Sequence, residues 1–139
     1  MGTINYLSPE MAQNAISTLE SDLWALGCII FKMTTGKPAF PGMDLFQVKP
    51  AIVQRRVDWP QEGMDADCKD LIDKLLQVKP EHRLGARGQK HNMDMLKAHP
   101  FFKGIDFKSD LKLLKVKEKL FSTNLGEEFL SKINPKLEK

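Results

Sequence analysis

The sequence predicts a mainly α-helical fold, and two patterns carry that prediction. The stretch from Leu19 to Thr35 is apolar on nearly every side, which is typical of a helix buried through the middle of a domain. A second stretch repeats apolar residues at helical spacing, namely Cys68, Leu71, Ile72, Leu75 and Leu76. Few segments alternate as strands do, and 139 residues, 42% of them apolar, suit one globular unit.

The first of these helices has signals at both ends. Ser17 and Glu20 stand at capping-box spacing before it, and Gly36, followed by Pro38, supplies a stop after it. We therefore predict a helix over Leu19 to Thr35 that forms the spine of the fold.

Two further helices follow. Asp44 opens a helical pattern that Pro50 interrupts, because proline removes a donor and crowds the previous turn, so this helix is predicted to be short, late-starting or kinked. The amphipathic helix has Asp65 and Asp67 in its first turn and runs until Lys79-Pro80 ends the pattern.

The last part of the chain changes in character. A short helix near Asn92 to Ala98 leads to "HPFF", whose paired aromatic rings we expect to close the end of a core. After Gly104 the chain becomes basic: residues 1–102 carry 12 basic and 12 acidic side chains, so the surplus of three lies in 103–139. Here we predict a helix with Leu111, Leu114 and Leu120 on one face, bordered by lysines 112, 115, 117 and 119, and a short helix over Glu127 to Ile133.

Composition excludes several classes of protein. A surplus of three positive charges is too small for a nucleic-acid footprint, and no run approaches the roughly 20 apolar residues of a membrane span. The N-terminus lacks the regions of a signal peptide. Cys28 and Cys68 lie far apart in apolar stretches, which favours reduced core thiols and a cytoplasmic location, with the nucleus as the alternative.

Three charged residues are not explained by composition. Asp22 lies in the first turn of an apolar helix, where burying a carboxylate is costly unless donors satisfy it. The residues favour pairing with its own helix amides, and the alternative is that Asp22 holds the backbone of another loop. Glu10 and Arg83 could form a bidentate pair, although the residues alone favour two unrelated surface charges.

No complete active site is visible. The glycine-rich stretch "GARG", Gly85 to Gly88, lacks the Lys-Ser/Thr ending and the preceding strand of a phosphate loop. His82, His91 and His99 lack metal-ligand spacing, so we expect loop caps or packing roles, and we assign no metal ligand. No nucleophile stands beside a base, so we assign no catalytic residue within this chain.

The order of the motifs is more specific than any one of them. "GTINYLSPE", "SDLWALGCII", "GKPAF" and "LLQVKPEHRLG" followed by "HPFF" together resemble the C-terminal lobe of eukaryotic Ser/Thr protein kinases, and most closely the 3-phosphoinositide-dependent branch. The resemblance implies an incomplete helical kinase lobe over residues 1–107 and a basic, helical tail over 108–139. It covers nearly the whole chain apart from the tail.

The resemblance also implies roles for individual residues. Residues Gly2 to Glu10 resemble the loop that ends an activation segment and binds the protein substrate, with Gly2, Thr3, Ile4 and Leu7 in the substrate-binding part. Thr3 matches the threonine that hydrogen-bonds the catalytic-loop Asp and Lys, and Ile4 and Leu7 match the pocket walls.

Four residues match the structural support of the active site. Glu10 and Arg83 match a buried ion pair that ties the substrate loop to the lobe. Asp22 matches the helix acid that accepts backbone hydrogens from the catalytic loop, and Trp24 belongs to the same support.

Several departures modify the expected function. Lys32 stands where many basophilic relatives carry an acid that reads a substrate arginine, so a preference for arginine-rich substrates is not expected. Pro50 breaks the helix that often serves as a docking surface. The tail lacks Phe-x-x-Phe followed by Ser/Thr and an aromatic residue, which agrees with the phosphoinositide-dependent branch, and the lipid-binding domain usual in animal members of that branch is absent here.

The resemblance implies ATP and Mg²⁺ for a complete kinase, and neither for this chain alone. The glycine-rich loop, the ATP-positioning lysine, the His-Arg-Asp loop and Asp-Phe-Gly are all absent from the 139 residues, and phosphoryl transfer needs nucleotide, metal and hydroxyl held together. We therefore expect part of a Ser/Thr kinase that is inactive by itself and works with a protein substrate and a missing N-terminal half.

The sequence leaves open an alternative function and has consequences for partners and for solubility. The alternative function is a non-catalytic, kinase-derived binding module. Nucleic acid is not an expected partner, and for the lysine-bordered helix from Asp110 to Phe121 a solvated or packed position is favoured over a membrane surface. Without the other half, the central helix and Asp22 are expected to leave apolar surface uncovered, which would make the chain prone to aggregation.

Overall fold

Helices make up the regular structure of the described part of the chain, and the fold class is confirmed. The computed structural model describes residues 2–104, within which no β-strand occurs. Five α-helices follow in order: α1 (Pro9–Asn14), α2 (Leu19–Thr35), α3 (Leu45–Val53), α4 (Ala66–Leu75) and α5 (Asn92–Lys97). Short 3-10 helices occupy Gly2–Tyr6, Pro80–His82 and Pro100–Phe102.

Helix α2 is the spine of the fold, with the bounds that the sequence predicts. Eight side chains of its body, from Leu23 to Phe31, are no more than 6% exposed. The cap, however, is Thr18 and not Ser17: Thr18 Oγ1 accepts from the Ser21 amide while Ser21 Oγ accepts from the Thr18 amide. At the other end Gly36 takes the left-handed conformation (φ 76°) that glycine adopts without strain.

The sequence analysis predicts that α2 leaves apolar surface uncovered, and this prediction is wrong. The body of the helix is covered, and the large exposed apolar side chains of the described residues lie elsewhere or at its ends (Ile16, Leu19, Met33, Met43, Leu45, Phe46, Val78 and Met95).

Helix α4 packs against α2 through a close contact. A Cβ placed on Gly27 would lie 3.0 Å from Leu76 Cδ2 and 3.1 Å from Leu75 Cβ, so glycine allows the two helices to approach. The opposite side of α4 remains polar, as its amphipathic sequence predicts.

The amphipathic helix ends earlier than the sequence predicts. It stops at Leu75 and not at Lys79, because other donors take the carbonyls that the next turn would use. Arg55 Nη2 donates to the Asp73 carbonyl and the Leu84 amide to the Lys74 carbonyl, both at 3.0 Å. Beyond the helix, Arg55 Nε donates to the Leu76 carbonyl, and Arg83 Nε donates to the Gln77 carbonyl at 2.8 Å. Asp65 caps its start, accepting from the amides of Asp67 and Cys68.

Helix α3 is short, as predicted, but Pro50 does not break it. The helix runs from Leu45 to Val53 through Pro50, whose ring lies on the exposed side. Asp44 caps its first turn by accepting from the Gln47 amide at 3.0 Å. The inward side chains Val48 and Ile52 are fully buried, and this burial holds the helix together across the missing amide donor.

The opening stretch is helical where the sequence suggested a loop. Residues Gly2–Tyr6 form a 3-10 helix, and α1 begins at Pro9, because Ser8 accepts from the Met11 amide and proline suits the first helical position. The segment from Ile105 to Phe107 and the tail 108–139, with both predicted tail helices, lie outside the described residues.

Candidate functional site

The stretch from Gly2 to Glu10 is fastened to the lobe at several points. The backbone of Gly2 and Thr3 begins the 3-10 helix, and Ile4 and Leu7 are half-buried and pack against the core. Asn5 Nδ2 donates to the Phe40 carbonyl at 2.9 Å. The loop that the resemblance assigns to substrate binding therefore packs on the core and is hydrogen-bonded to the Phe40 backbone in the loop after α2.

Glu10 and Arg83 form the strongest polar contact of this region. Arg83 Nη1 lies 2.7 Å from Glu10 Oε2, and Nη2 lies 2.8 Å from Oε1, so two parallel hydrogen bonds join residues 73 positions apart. The bidentate pair that the resemblance implied is present, and the interpretation as two unrelated surface charges is wrong. The Arg83 side chain is fully buried and that of Glu10 is 13% exposed.

All five N–H donors of Arg83 have acceptors. Beyond the two bonds to Glu10 and the bond to Gln77, Nη1 donates to the Glu20 carbonyl at 2.7 Å and Nη2 to the Val78 carbonyl at 3.3 Å. One guanidinium thus connects α1, the start of α2 and the turn after α4. A buried charge is tolerated when every donor is satisfied in this way.

Trp24 supports the pair from the side. Its indole ring is fully buried, stacks on Phe40 at a centroid distance of 5.4 Å and lies 5.2 Å from Arg83 Cζ. The ring face carries partial negative charge, which favours a guanidinium above it. The structure thus brings together Glu10, Arg83 and Trp24, three of the four residues assigned to structural support.

The electrostatics of Glu10 reflect these contacts. Burial raises the pKa of the Glu10 carboxyl, but hydrogen bonds from Arg83 and from Ser21 Oγ, which lies 2.9 Å from Oε2, outweigh it and hold that pKa below its ordinary value. Glu10 therefore remains ionised well into the acid range.

A second acid–arginine pair lies beside the first, and the sequence did not reveal it. Glu20 Oε2 accepts from the Arg87 amide and from Arg87 Nε, both at 3.1 Å, and Oε1 accepts from Nη2 at 2.8 Å. The hydrogen bond from Arg87 lowers the pKa of Glu20 to about 2 despite burial. Glu20 was assigned to the capping box, and the only signal for the pair was an acid beginning an apolar helix.

Asp22 sits where the sequence placed it. It is half-buried in the first turn of α2, and its amide donates to the Thr18 carbonyl at 3.3 Å. Its contact with a catalytic loop remains a prediction, as does the role of Thr3.

Lys32 has a local partner. Its ammonium donates to the Gly36 carbonyl at 3.1 Å, at the C-terminal end of α2, where the helix dipole favours positive charge. An amine held here adds positive charge at the position where the resemblance expects an acid.

His99 acts as a loop cap. Its Nδ1 accepts from the Phe101 amide at 3.1 Å, so Nε2 carries the proton and faces Asp70 Oδ2 at 2.7 Å.

Cys28 and Cys68 are buried free thiols, and burial raises the pKa of both. Across residues 2–104, no three His, Cys, Asp or Glu side chains cluster so as to hold a metal ion.

A cavity of about 650 Å³ lies apart from these pairs, between the end of α2 and the loop before α4. Its lining combines Thr34, Thr35, Cys68 and Phe101 with the acids Glu62, Asp65 and Asp67. No pattern in the sequence predicted this cavity.

Comparison with known proteins decides the family. The model of the protein kinase domain matches residues 1–102, which is most of the chain. This chain belongs to the protein kinase family. Within the described residues of this kinase chain, no helix is long and apolar enough to cross a membrane.

Individual relatives agree. The kinase chain is 41% identical over 109 residues to "Probable serine/threonine-protein kinase pdkA" of Dictyostelium discoideum, covering 78% of this chain and 16% of the relative. It is 36% identical to "3-phosphoinositide-dependent protein kinase 1" of Arabidopsis thaliana (78% and 22%) and 35% identical to the Rattus norvegicus protein of that name (78% and 19%). The chain spans about a fifth of the length of these relatives.

The kinase chain is therefore a helical, C-lobe part of a Ser/Thr kinase most like the 3-phosphoinositide-dependent kinases. Both the resemblance and the fold class drawn from the sequence are confirmed.

Proposed function

We propose that this chain supplies the substrate-binding loop and the core of the C-terminal lobe to an ATP-dependent Ser/Thr protein kinase. The observation that carries the proposal is the buried Glu10–Arg83 pair, which fixes the end of the Gly2–Glu10 stretch against α2. In this role Gly2, Thr3, Ile4 and Leu7 contact the protein substrate, and Asp22 accepts hydrogen bonds from the catalytic loop of the missing half.

In this role the chain's own residues position the protein substrate and do not transfer phosphate. No catalytic base is assigned among them, and residues 2–104 offer no group of side chains suited to Mg²⁺. ATP and Mg²⁺ belong to the complete kinase, and the 139-residue chain alone is expected to be inactive. We place the enzyme in the cytoplasm, on the grounds given by composition.

A chimera tests this function. Residues 2–104 would replace the corresponding segment of the Dictyostelium discoideum kinase, and transfer of radiolabelled phosphate from ATP to a Ser/Thr protein substrate would be measured. We expect activity from the chimera and a large loss in Glu10→Gln, because the loop loses its anchor. Glu62→Gln, which changes an exposed acid away from the pair, is the matched control.

Two results would count against the proposal. One is a chimera that melts cooperatively yet transfers no phosphate. The other is saturable binding of a protein partner by the 139-residue chain through Gly2–Glu10 when the folded chimera is inactive, which would favour the non-catalytic binding module instead.

A further inference from the structure

The cavity beside the end of α2 has walls that other described residues hold in place. Phe101 is fixed in two ways: its amide donates to His99 Nδ1 at 3.1 Å, and its ring meets the Phe102 ring edge-on at a centroid distance of 5.1 Å. Asp65, which also lines the cavity, is fixed as the cap of α4 by two backbone amides of the first turn. A preformed cavity of about 650 Å³ has the size that suits a small organic ligand.

The acidic side chains of the cavity carry charge that the described residues do not neutralise. Glu62, Asp65 and Asp67 line it, and no Lys, Arg or His side chain is among the described lining residues. None of the three carboxylates takes part in an ion pair within residues 2–104. Lys69, two residues after Asp67, lies over the Trp59 ring, 5.4 Å from its centroid. The cavity is therefore a site of negative potential that favours a cation.

The hydroxyl groups of the cavity add acceptors and no donors. Thr34 Oγ1 donates to the Ile30 carbonyl at 2.9 Å. Thr35 Oγ1 donates to the Phe31 carbonyl at 2.8 Å. Because a hydroxyl has one hydrogen, both groups can only accept a further bond, and the remaining polar side chain, the Cys68 thiol, is a weak donor that is 3% exposed. The described side chains of the cavity therefore favour a ligand that brings its own N–H donors.

Apolar side chains form another part of the described lining. Pro60, Met64, Pro100 and Phe101 contribute carbon surface to the cavity. Met64 and Phe101 also pack against the hydrophobic core, so they connect the cavity to the packed part of the fold. An organic body that covers this surface displaces water from it, which favours binding.

We propose that this cavity binds a small organic cation, an amine whose ammonium group faces the acids while its apolar body packs against Met64 and Phe101. The unpaired carboxylates select positive charge, the accepting hydroxyls select N–H donors, and the carbon surface selects an organic body. A bare metal ion satisfies only the first of these conditions. Residues 2–104 also hold no group of three His, Cys, Asp or Glu side chains suited to a metal.

This inference does not rest on the proposed function. None of the described lining residues belongs to the Gly2–Glu10 stretch or to the Glu10–Arg83 pair. Binding of an amine is measured without phosphoryl transfer, so an inactive chimera would leave the inference standing, and failure of the amine to bind would leave the proposed function standing.

Titration of the full 139-residue chain with two matched probes tests the inference. Tryptamine carries an indole ring and an ammonium group, and tryptophol carries the same ring with a hydroxyl in place of the amine. Dissociation constants at neutral pH would be obtained from the amide resonances of Met64, Cys68 and Phe101. Asp67→Asn neutralises one acid of the cavity in the first turn of α4. Asp94→Asn, which neutralises an exposed acid in the first turn of α5, is the matched control.

We expect tryptamine to bind saturably and tryptophol to bind about tenfold more weakly, because only the amine pairs with the acids. Asp67→Asn should weaken tryptamine binding about threefold and leave the binding of tryptophol unchanged, since one exposed charge pair contributes modestly. Asp94→Asn should change neither. Shifts that do not saturate, equal affinity for the two probes, or equal losses in Asp67→Asn and Asp94→Asn would overturn the inference.

Discussion

Arg83 concentrates more of the structure's polar bonding than any other side chain described above. It links Glu10, Glu20, Gln77 and Val78 through five donors in a fully buried position. Removing one partner of such a pair leaves an uncompensated buried charge, which is far more costly than breaking an exposed pair.

Glu10→Gln tests that cost. We expect the variant to lose about 3–5 kcal/mol of unfolding free energy, because Arg83 keeps its charge without a carboxylate. Urea denaturation of the 139-residue chain measures the loss. Lys74→Gln, which breaks the exposed Lys74–Asp70 pair, is the control and should cost no more than about 0.5 kcal/mol. Equal losses of unfolding free energy in the two variants would show that the Glu10–Arg83 pair stabilises the chain no more than an exposed pair does.

The stability of the chain at acidic pH tests the contributions of the Glu10 and Glu20 carboxylates. The folded pKa values of Glu10 and Glu20 lie below the ordinary value of 4.5, that of Glu20 at about 2. Since a depressed folded pKa stabilises the protein above the unfolded pKa, their contribution is full above pH 4.5 and declines as the pH falls toward about 2. Unfolding free energies measured across this interval should decrease. Arg87→Ala should flatten that decrease, and an unchanged slope would contradict the role of the Glu20–Arg87 pair.

At the scale of elements, the approach of α2 to α4 depends on the absence of a side chain at Gly27. Alanine favours a helix over glycine by about 1 kcal/mol, but overpacking a core commonly costs about 1–3 kcal/mol. A Cβ at 3.1 Å from Leu75 Cβ meets an atom that cannot rotate away. We therefore expect Gly27→Ala to destabilise the chain in thermal or urea unfolding.

Leu76→Ala provides the coupled control. It removes the Cδ2 atom that would lie 3.0 Å from the new Cβ, so Gly27→Ala should cost less in this background than in the wild type. A stabilised Gly27→Ala variant would mean that helix propensity outweighs the contact.

Elements also show what sequence patterns can predict. The bounds of α2 were predictable because a long apolar run, a glycine stop and a nearby proline agree. The early end of α4 was not predictable, since it depends on Arg55 and the Leu84 amide reaching the Asp73 and Lys74 carbonyls from outside the helix. The continuity of α3 through Pro50 was not predicted for a similar reason. It depends on the burial of Val48 and Ile52 against other parts of the fold.

The candidate site was predictable to the extent that it follows motif order. The Glu10–Arg83 pair came from the resemblance and not from chemistry, because charges 73 positions apart carry no local signal of pairing. The Glu20–Arg87 pair has no counterpart among the quoted motifs, and it emerged only when the fold brought α2 beside the turn at Arg87.

At the scale of the whole molecule, uncovered apolar side chains bear on solubility. Met43 is 88% exposed and Phe46 is 90% exposed, close together at the start of α3. We expect Met43→Ser/Phe46→Ser to reduce self-association measured by sedimentation at several concentrations. Gln54→Ser, at an exposed polar position, is the control. Unchanged self-association would show that Met43 and Phe46 do not cause it.

At this scale we propose that the chain is the substrate-side part of a larger Ser/Thr kinase. It spans 16–22% of the three relatives described above, and the Glu10–Arg83 pair fastens the Gly2–Glu10 stretch to the start of α2.

The intact mass of the natural polypeptide, captured with an antibody against residues 108–139 and measured by mass spectrometry, tests this most directly. We predict a species well above the 15.8 kDa of this chain, with the catalytic half continuous with Gly2. A natural species of 15.8 kDa would contradict the account and would make the binding module the better description.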